Sequence, residues 1–181
     1  MHSNLLAALT QNNHEIAQLS FSDKQIPKEK WLPKKLWNDA LRTMPIPCVD
    51  MIFQRQDHSI LYGFRLIKPY ANVWALVGGR VLRGENLRQC ANRIAKEYGL
   101  HFEKLYLNGV YPVNFPNRSD IVISLVARNV SGQPQIDEYE FSKFKWSQNP
   151  PRNIGANYLR MVTAWLARMH SEEFLRLAHL A

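Results

Sequence analysis

The chain has 181 residues, 46% of them hydrophobic, which suits one globular domain with a short extension. Its formal net charge of +8 favours anionic partners such as nucleotides, nucleic acid or anionic lipid. No apolar run is long enough to span a bilayer and the first residues lack a secretory signal, so we expect a cytoplasmic protein without a membrane partner. The apolar surroundings of Cys48 and Cys90 predict buried free thiols.

The N-terminal part of the chain has helical patterns. Residues 1–19 predict a short polar helix, which a lysine- and proline-rich link follows. Apolar residues then recur at helical spacing from Trp31 to Leu41, until prolines interrupt the pattern. We therefore assign residues 1–44 to a helical extension and residues 45–181 to the main domain. The tryptophans of the extension favour packing, and a homodimer interface is the alternative.

The main domain mixes strand and helix patterns. Residues 48–66 predict a β-hairpin, and residues 72–79 predict a strand that ends in two glycines. An amphipathic helix is predicted over residues 86–98, with Gly99 as its stop. Three strand candidates follow within residues 104–146, and one or two helices end the chain. This order predicts a mixed α/β (α+β) fold without regular βαβ alternation.

The glycine pair and the helix after it predict a site for phosphate and metal. Gly78 and Gly79 leave bare backbone, whose carbonyl oxygens are free to coordinate a ligand. Glu85 lies at the helix start, and Arg93 and Glu97 share one helix face. Carboxylate and carbonyl oxygens suit a hard divalent ion, and guanidinium groups suit phosphate. An ordinary amphipathic helix with one surface ion pair is the alternative.

This stretch resembles the signature of the Nudix hydrolase superfamily, in which a glycine and spaced glutamates and an arginine precede a final glycine. Gly79, Glu85 and Arg93 match the first half of the signature, and Glu97 and Gly99 match its end. One residue is missing between the halves, so Glu97 aligns with either member of a glutamate pair. Residues that depart from the glutamates of the signature are Ile94 and Tyr98.

The reduced glutamate set, together with residues 50–80, resembles the GDP-mannose mannosyl hydrolase branch. The resemblance implies a Nudix-like α/β/α sandwich, a homodimer, and Mg²⁺ as the cofactor, with Mn²⁺ as an alternative. It also implies a nucleotide sugar as the substrate, whose anomeric carbon water attacks while a nucleoside diphosphate leaves. Phe141 stands where the branch has its general-base histidine, and Glu140 is the remaining candidate for the base.

The candidate site residues form three sets, in which the resemblance implies the roles of Asp50, Arg65, Arg80 and Glu140. The candidate metal ligands are Gly78, Glu97, Glu140 and Glu85. The candidate catalytic residues are Arg80, Arg93 and Glu140. The candidate substrate-binding residues are Asp50, Arg65, Arg80, Tyr111 and Arg118. For Asp50 a half-buried strand carboxylate paired with an arginine is an equal alternative. Tyr111 and Arg118 belong to a predicted loop over residues 111–120, for which an ordinary loop is the alternative.

Three functions therefore remain open. The first is an Mg²⁺-dependent hydrolase of a nucleotide sugar resembling GDP-mannose. The second is a Nudix pyrophosphatase, which cleaves a nucleoside diphosphate derivative at phosphorus. The third is a non-catalytic module that binds a nucleotide or RNA, although we expect a nucleotide sugar rather than nucleic acid as the partner.

Overall fold

The computed structural model describes residues 33–136 and 139–178, without the side chains of residues 172–178. The predicted helix over residues 1–19, and Trp31, lie outside them. The helices are α1 (Lys34–Thr43), α2 (Leu87–Glu97) and α3 (Ala156–Ala178). The strands are β1 (Ile46–Gln54), β2 (Ile60–Arg65), β3 (Val73–Ala75), β4 (Val77–Arg80), β5 (Leu100–His101), β6 (Lys104–Phe115), β7 (Arg118–Arg128), β8 (Ser131–Gly132) and β9 (Phe141–Ser147). No helix of this part of the chain is long and apolar enough to cross a membrane.

A seven-stranded mixed sheet forms the centre of the fold. Its main order is β3-β2-β1-β7-β6, while β4 pairs with β1 and β9 pairs with β2. Strands β1 and β7 run parallel, and the other pairs of this sheet are antiparallel. Strands β5 and β8 form a separate two-stranded sheet. The predicted α+β fold with a mixed sheet between helices is confirmed.

Helix α2 begins and ends as the sequence predicts. Asn86 caps its start, because its side chain accepts a 2.9 Å hydrogen bond from the N–H of Gln89, and the side chain of Gln89 accepts one from the N–H of Asn86. Gly99 follows the last turn with φ of +67°, which glycine adopts without strain. The buried stripe of the helix consists of Cys90, Ala91, Ile94 and Ala95.

The two faces of the sheet carry different chemistry. On β1, Val49 lies opposite Gly79, which faces Ile94, so this face packs against α2. Because side chains alternate along a strand, Cys48 and Asp50 point to the opposite face, which we call the Asp50 face. Helix α3 packs on that face. Asn108, whose side chain donates to Ser124 next to Asp50 in the sheet, also donates to a carbonyl of α3.

Helix α1 also lies on the Asp50 face. Arg80 is opposite Cys48 in the β1–β4 pair, and its guanidinium carbon lies 4.3 Å from the centroid of the Trp37 ring. Trp37 and Leu41 are partly buried against the core. The division at residue 44 stays a prediction, and the structure adds that α1 contacts the sheet that bears the site.

Two predicted segments differ from the structure. The single strand predicted over residues 72–79 is two strands, because the chain changes partner at Leu76, from β2 to β1. The loop predicted over residues 111–120 was wrong, because β6 and β7 stay paired up to Phe115 opposite Arg118. Pro112 lies within β6, which is an edge strand, where a missing N–H costs little.

We predict that Gly78→Ala destabilises the protein and that Gly79→Ala does not. A Cβ at Gly78 would overlap the carboxylate of Asp50 and lie 2.6 Å from the carbonyl of Val49. At Gly79 the nearest atoms are 3.5 Å away, an ordinary contact. We expect a loss of about 1–3 kcal/mol for Gly78→Ala in urea unfolding. Equal losses in the two variants would contradict this account of the β1–β4 contact.

Candidate functional site

Arg93 joins α2 to the end of β4. Its Nε and Nη2 donate hydrogen bonds of 2.7 and 3.0 Å to the two carboxylate oxygens of Glu85. Nη2 also donates to the backbone carbonyl of Arg80 at 2.8 Å, and Nη1 donates to Oε1 of Glu97 at 3.1 Å. The side chain of Glu85 is 2% exposed, and that of Glu97 is 52% exposed. One guanidinium therefore holds a buried and an exposed carboxylate.

Glu85 is held from two directions. Its Oε2 also accepts a 2.9 Å hydrogen bond from the N–H of Leu82, within the turn that leads from β4 to α2. Burial raises the pKa of Glu85, but the hydrogen bonds from Arg93 and Leu82 act against it and hold the pKa below its usual range. Both oxygens of Glu85 are thus engaged inside the protein.

The contacts of Arg93 also bear on the alignment of the signature. Because Arg93 meets Glu85 directly, the first half of the pattern, from Gly79 to Arg93, forms one connected unit. The missing residue then falls in the last turn of α2, before Gly99. The two departures from the signature, Ile94 and Tyr98, are buried core residues. Ile94 packs beneath Gly79, and the Tyr98 ring meets Phe141 edge-on at 5.8 Å between centroids.

The outer edge of β4 presents a backbone oxygen next to this unit. The N–H of Val81 donates to the carbonyl of Pro47 on the β1 side, whereas the carbonyl of Arg80 points away from β1 and accepts from Arg93. Main-chain groups alternate in direction along an antiparallel strand. The carbonyl of Gly78, two residues before Arg80, therefore also points away from β1.

Two oxygens near this edge have the chemistry that suits a hard divalent ion. Gly78 supplies a carbonyl, and Glu97 supplies an exposed carboxylate. Mg²⁺ retains several waters in proteins and takes only one or two carboxylates beside substrate phosphates. This donor set therefore has suitable chemistry, although no three His, Cys, Asp or Glu side chains gather within the part of the chain that the structure describes. Glu140 contacts Arg65 instead, with 2.8 Å between Oε1 and Nη1.

Arg65 is the centre of a second cluster, on the Asp50 face. Besides its ion pair with Glu140, its Nη1 lies 3.4 Å from the hydroxyl of Tyr158 on α3, and its Nε donates to the carbonyl of Ile67 at 3.2 Å. The side chains of Arg65 and Glu140 are 16% and 22% exposed. The cluster is therefore accessible to a ligand while its arginine is held in place.

Asp50 lies near this cluster, close enough to interact with the charges of Arg65 and Glu140, and the residue is partly exposed. Burial raises the pKa of Asp50 to about 7. Arg65 and Arg118 act against the increase, and the negative charges of Asp120 and Glu140 add to it. This carboxyl therefore changes its protonation near neutral pH.

Two further arginines lie on the Asp50 face. Arg118 makes two 2.5 Å hydrogen bonds to the carboxylate of Asp120, and its Nη2 is 3.9 Å from the sulfur of Cys48. Burial lowers the pKa of Arg80, and the positive charges of Arg118 and Arg93 act in the same direction. Arg118 and Arg80 are thus near enough for their charges to interact, and Asp120 offsets the charge of Arg118.

Tyr111 and the two thiols belong to the interior. Tyr111 lies in β6 and is 9% exposed, with the guanidinium carbon of Arg160 located 5.3 Å from its ring centroid. Cys48 and Cys90 are free and buried, as predicted. No sequence signal marked Trp37 and Tyr158 as site neighbours, since tryptophan and tyrosine at helical spacing are typical of packing residues.

We predict that Arg93→Met is strongly destabilising and that Glu97→Gln is not. The first change leaves the carboxylate of Glu85 buried without its cation, which costs about 3 kcal/mol in comparable sites. The second removes an exposed pair, worth less than about 0.5 kcal/mol. Urea unfolding measures both, and Glu85→Gln in the Arg93→Met background should recover part of the loss. Similar losses from the two single changes would contradict a buried Glu85–Arg93 pair.

We predict that Asp50 makes stability depend on pH. Its pKa is about 7 in the folded protein and about 4 when unfolded, so between these values the folded state holds a proton that the unfolded state releases. The contribution of Asp50 therefore falls as pH rises from about 4 to 7 and is constant above. In EDTA, the unfolding free energy of wild type should fall relative to that of Asp50→Asn over this range, because Asn resembles the protonated carboxyl. A constant difference would contradict the shift.

Residues 44–149 match the family model of the NUDIX domain. A curated relative, the low-salt glycan biosynthesis protein Agl8 of Haloferax volcanii, is 30% identical over 66 residues, which are 36% of this chain and 42% of that protein. The match thus spans less than half of that relative.

Solved structures share the fold at low identity. A MutT NUDIX hydrolase from Burkholderia pseudomallei has a TM-score of 0.62 and 20% identity, with 67% of this chain and 98% of that one covered. The NUDIX domain of Shewanella oneidensis NrtR, complexed with ADP ribose, has a TM-score of 0.59 and 15% identity, with 76% and 99% covered. A bifunctional NMN adenylyltransferase/ADP ribose pyrophosphatase from Francisella tularensis, complexed with AMP and a Mn ion, has a TM-score of 0.57 and 18% identity, with 75% and 45% covered. With its signature, its fold and its match over residues 44–149, the chain belongs to the Nudix family.

Proposed function

We propose that this Nudix protein hydrolyses a nucleotide sugar, GDP-mannose or a relative, and releases a nucleoside diphosphate and the sugar. The observation that carries the proposal is the set of three arginines, Arg65, Arg80 and Arg118, on the Asp50 face beside Asp50 and Glu140. Guanidinium groups on one face suit a diphosphate, and carboxyl groups beside them suit sugar hydroxyls and the attacking water.

Mg²⁺, or Mn²⁺ in its place, is the cofactor that we propose, held by the carbonyl of Gly78 and the carboxylate of Glu97. When bound, such an ion neutralises charge on the leaving diphosphate. We assign Arg93 and Glu85 positioning roles, because Arg93 holds Glu97 at the helix surface and Glu85 holds Arg93.

The proposed chemistry at the reacting carbon uses the Asp50 face. Glu140 takes a proton from water, whose oxygen bonds to the anomeric carbon. The bond between that carbon and the phosphate oxygen breaks, and its electron pair leaves with the diphosphate. Arg80 and Arg65 offset the charge that develops there, which is a large effect in a partly buried site. Asp50 binds a sugar hydroxyl or a guanine edge.

The alternative is a pyrophosphatase that attacks phosphorus. The ADP ribose in the Shewanella oneidensis domain and the pyrophosphatase name of the Francisella tularensis protein favour it. The reduced glutamate set favours attack at the sugar carbon instead. Ile94 and Tyr98 are buried core residues where the signature has glutamates, and Glu97 is the one glutamate of these positions that remains after Arg93. A binding module without catalysis is the third function. We also propose that the protein is a cytoplasmic homodimer with a helical extension over residues 1–44. Sedimentation of the full chain would test the homodimer.

We predict that hydrolysis of GDP-mannose in ¹⁸O-labelled water places the label on the sugar. Label on phosphate, from this substrate or from ADP ribose, would instead establish the pyrophosphatase. Among GDP- and UDP-sugars with Mg²⁺, failure to release any nucleoside diphosphate, together with metal-independent binding, would leave only the binding module.

We predict that Glu140→Gln lowers kcat by about 100-fold or more, because a general base typically contributes that much. Glu103→Gln is the matched control, since Glu103 bonds Asn129 near the start of β6 and belongs to neither cluster. Mass spectrometry of the products measures both variants. An unchanged kcat in Glu140→Gln would remove Glu140 from the mechanism.

A further inference from the structure

Helix α1 precedes the region that matches the Nudix family and yet contacts a candidate site residue. The family match begins at residue 44, whereas α1 spans Lys34–Thr43. Trp37 on this helix is partly buried, and its ring lies 4.3 Å from the guanidinium carbon of Arg80. That distance is typical of a cation–π contact, which is strongest with tryptophan.

The two ends of Arg80 are held by different helices. Its backbone carbonyl accepts from Arg93 on α2, while its guanidinium lies against Trp37 on α1. Arg80 has a long, flexible side chain and lies near Arg118 on the same face. The flat ring of Trp37 restricts the guanidinium to the Asp50 face, where a diphosphate would contact both arginines.

We propose that Trp37 is a positioning residue for Arg80, so that α1 completes the diphosphate site from outside the region that matches the family. The inference rests on the proposed function, since it concerns how that site binds a nucleoside diphosphate. Part of the binding free energy of the ligand then comes from a preorganised arginine rather than from a direct contact with Trp37.

A double-mutant cycle on the full chain tests this role. Titration calorimetry with GDP and Mg²⁺ compares wild type, Trp37→Ala, Arg80→Met and the double variant. We expect Trp37→Ala to weaken GDP binding about fivefold to tenfold, the range that a partly buried cation–π contact supports. In the Arg80→Met background the same change should alter binding less than about twofold. Trp37→Phe, which keeps a ring, should recover much of the affinity.

Leu36→Ala is the matched control on α1, because Leu36 is 54% exposed, and it should leave GDP binding unchanged. An equal loss from Trp37→Ala in both backgrounds would overturn the inference and leave the proposed function intact. A lack of GDP binding by the wild type would overturn both. A fall in melting temperature that Trp37→Ala and Trp37→Phe share, with full GDP affinity in both, would reduce Trp37 to a packing residue.

Discussion

The site depends on the contact of one arginine with a buried carboxylate. Arg93 binds both oxygens of Glu85, the carbonyl of Arg80 and the carboxylate of Glu97. A buried carboxylate without a cation would be costly, so the pair requires α2 and the end of β4 to stay together. The exposed Glu97 and the outward carbonyl of Gly78 are then fixed relative to each other through Arg93 and the end of β4.

The sheet divides the site into two parts with different tasks. The edge of β4 and α2 present oxygens, whereas the Asp50 face presents arginines with Asp50 and Glu140 among them. Arg80 belongs to both parts, because its carbonyl points to α2 and its side chain points to the Asp50 face. A diphosphate that bridges a metal at the edge and the arginines on the face would use this division directly.

The sequence predicts those features that depend on local spacing. The helix over residues 86–98 and its stop at Gly99 lie within one segment, so periodicity is sufficient to predict them. The structure adds the cap at Asn86 and the contact of Arg93 with Glu85. The Asp50 face depends on the pairing of β1 with β4 and β7, which are far apart in sequence. Trp37 and Tyr158 reach it only through that register, and nothing local distinguishes them from packing residues. The loop prediction over residues 111–120 was wrong for the same reason, because a proline does not show whether its strand lies at the edge of the sheet.

The residues that replace the glutamates of the signature also contribute to the packing of the core. Ile94 is fully buried beneath Gly79, and Tyr98 packs its ring against Phe141. A glutamate at residue 94 would place a charge among apolar groups, with Arg93 already engaged by two carboxylates, so its pKa would rise until it was neutral. Restoring the family residue there would therefore not restore a metal ligand. Residue 94 belongs to the core of this protein. Any chemistry at the site must therefore use the carboxylates that remain on the surface of α2 and on the Asp50 face.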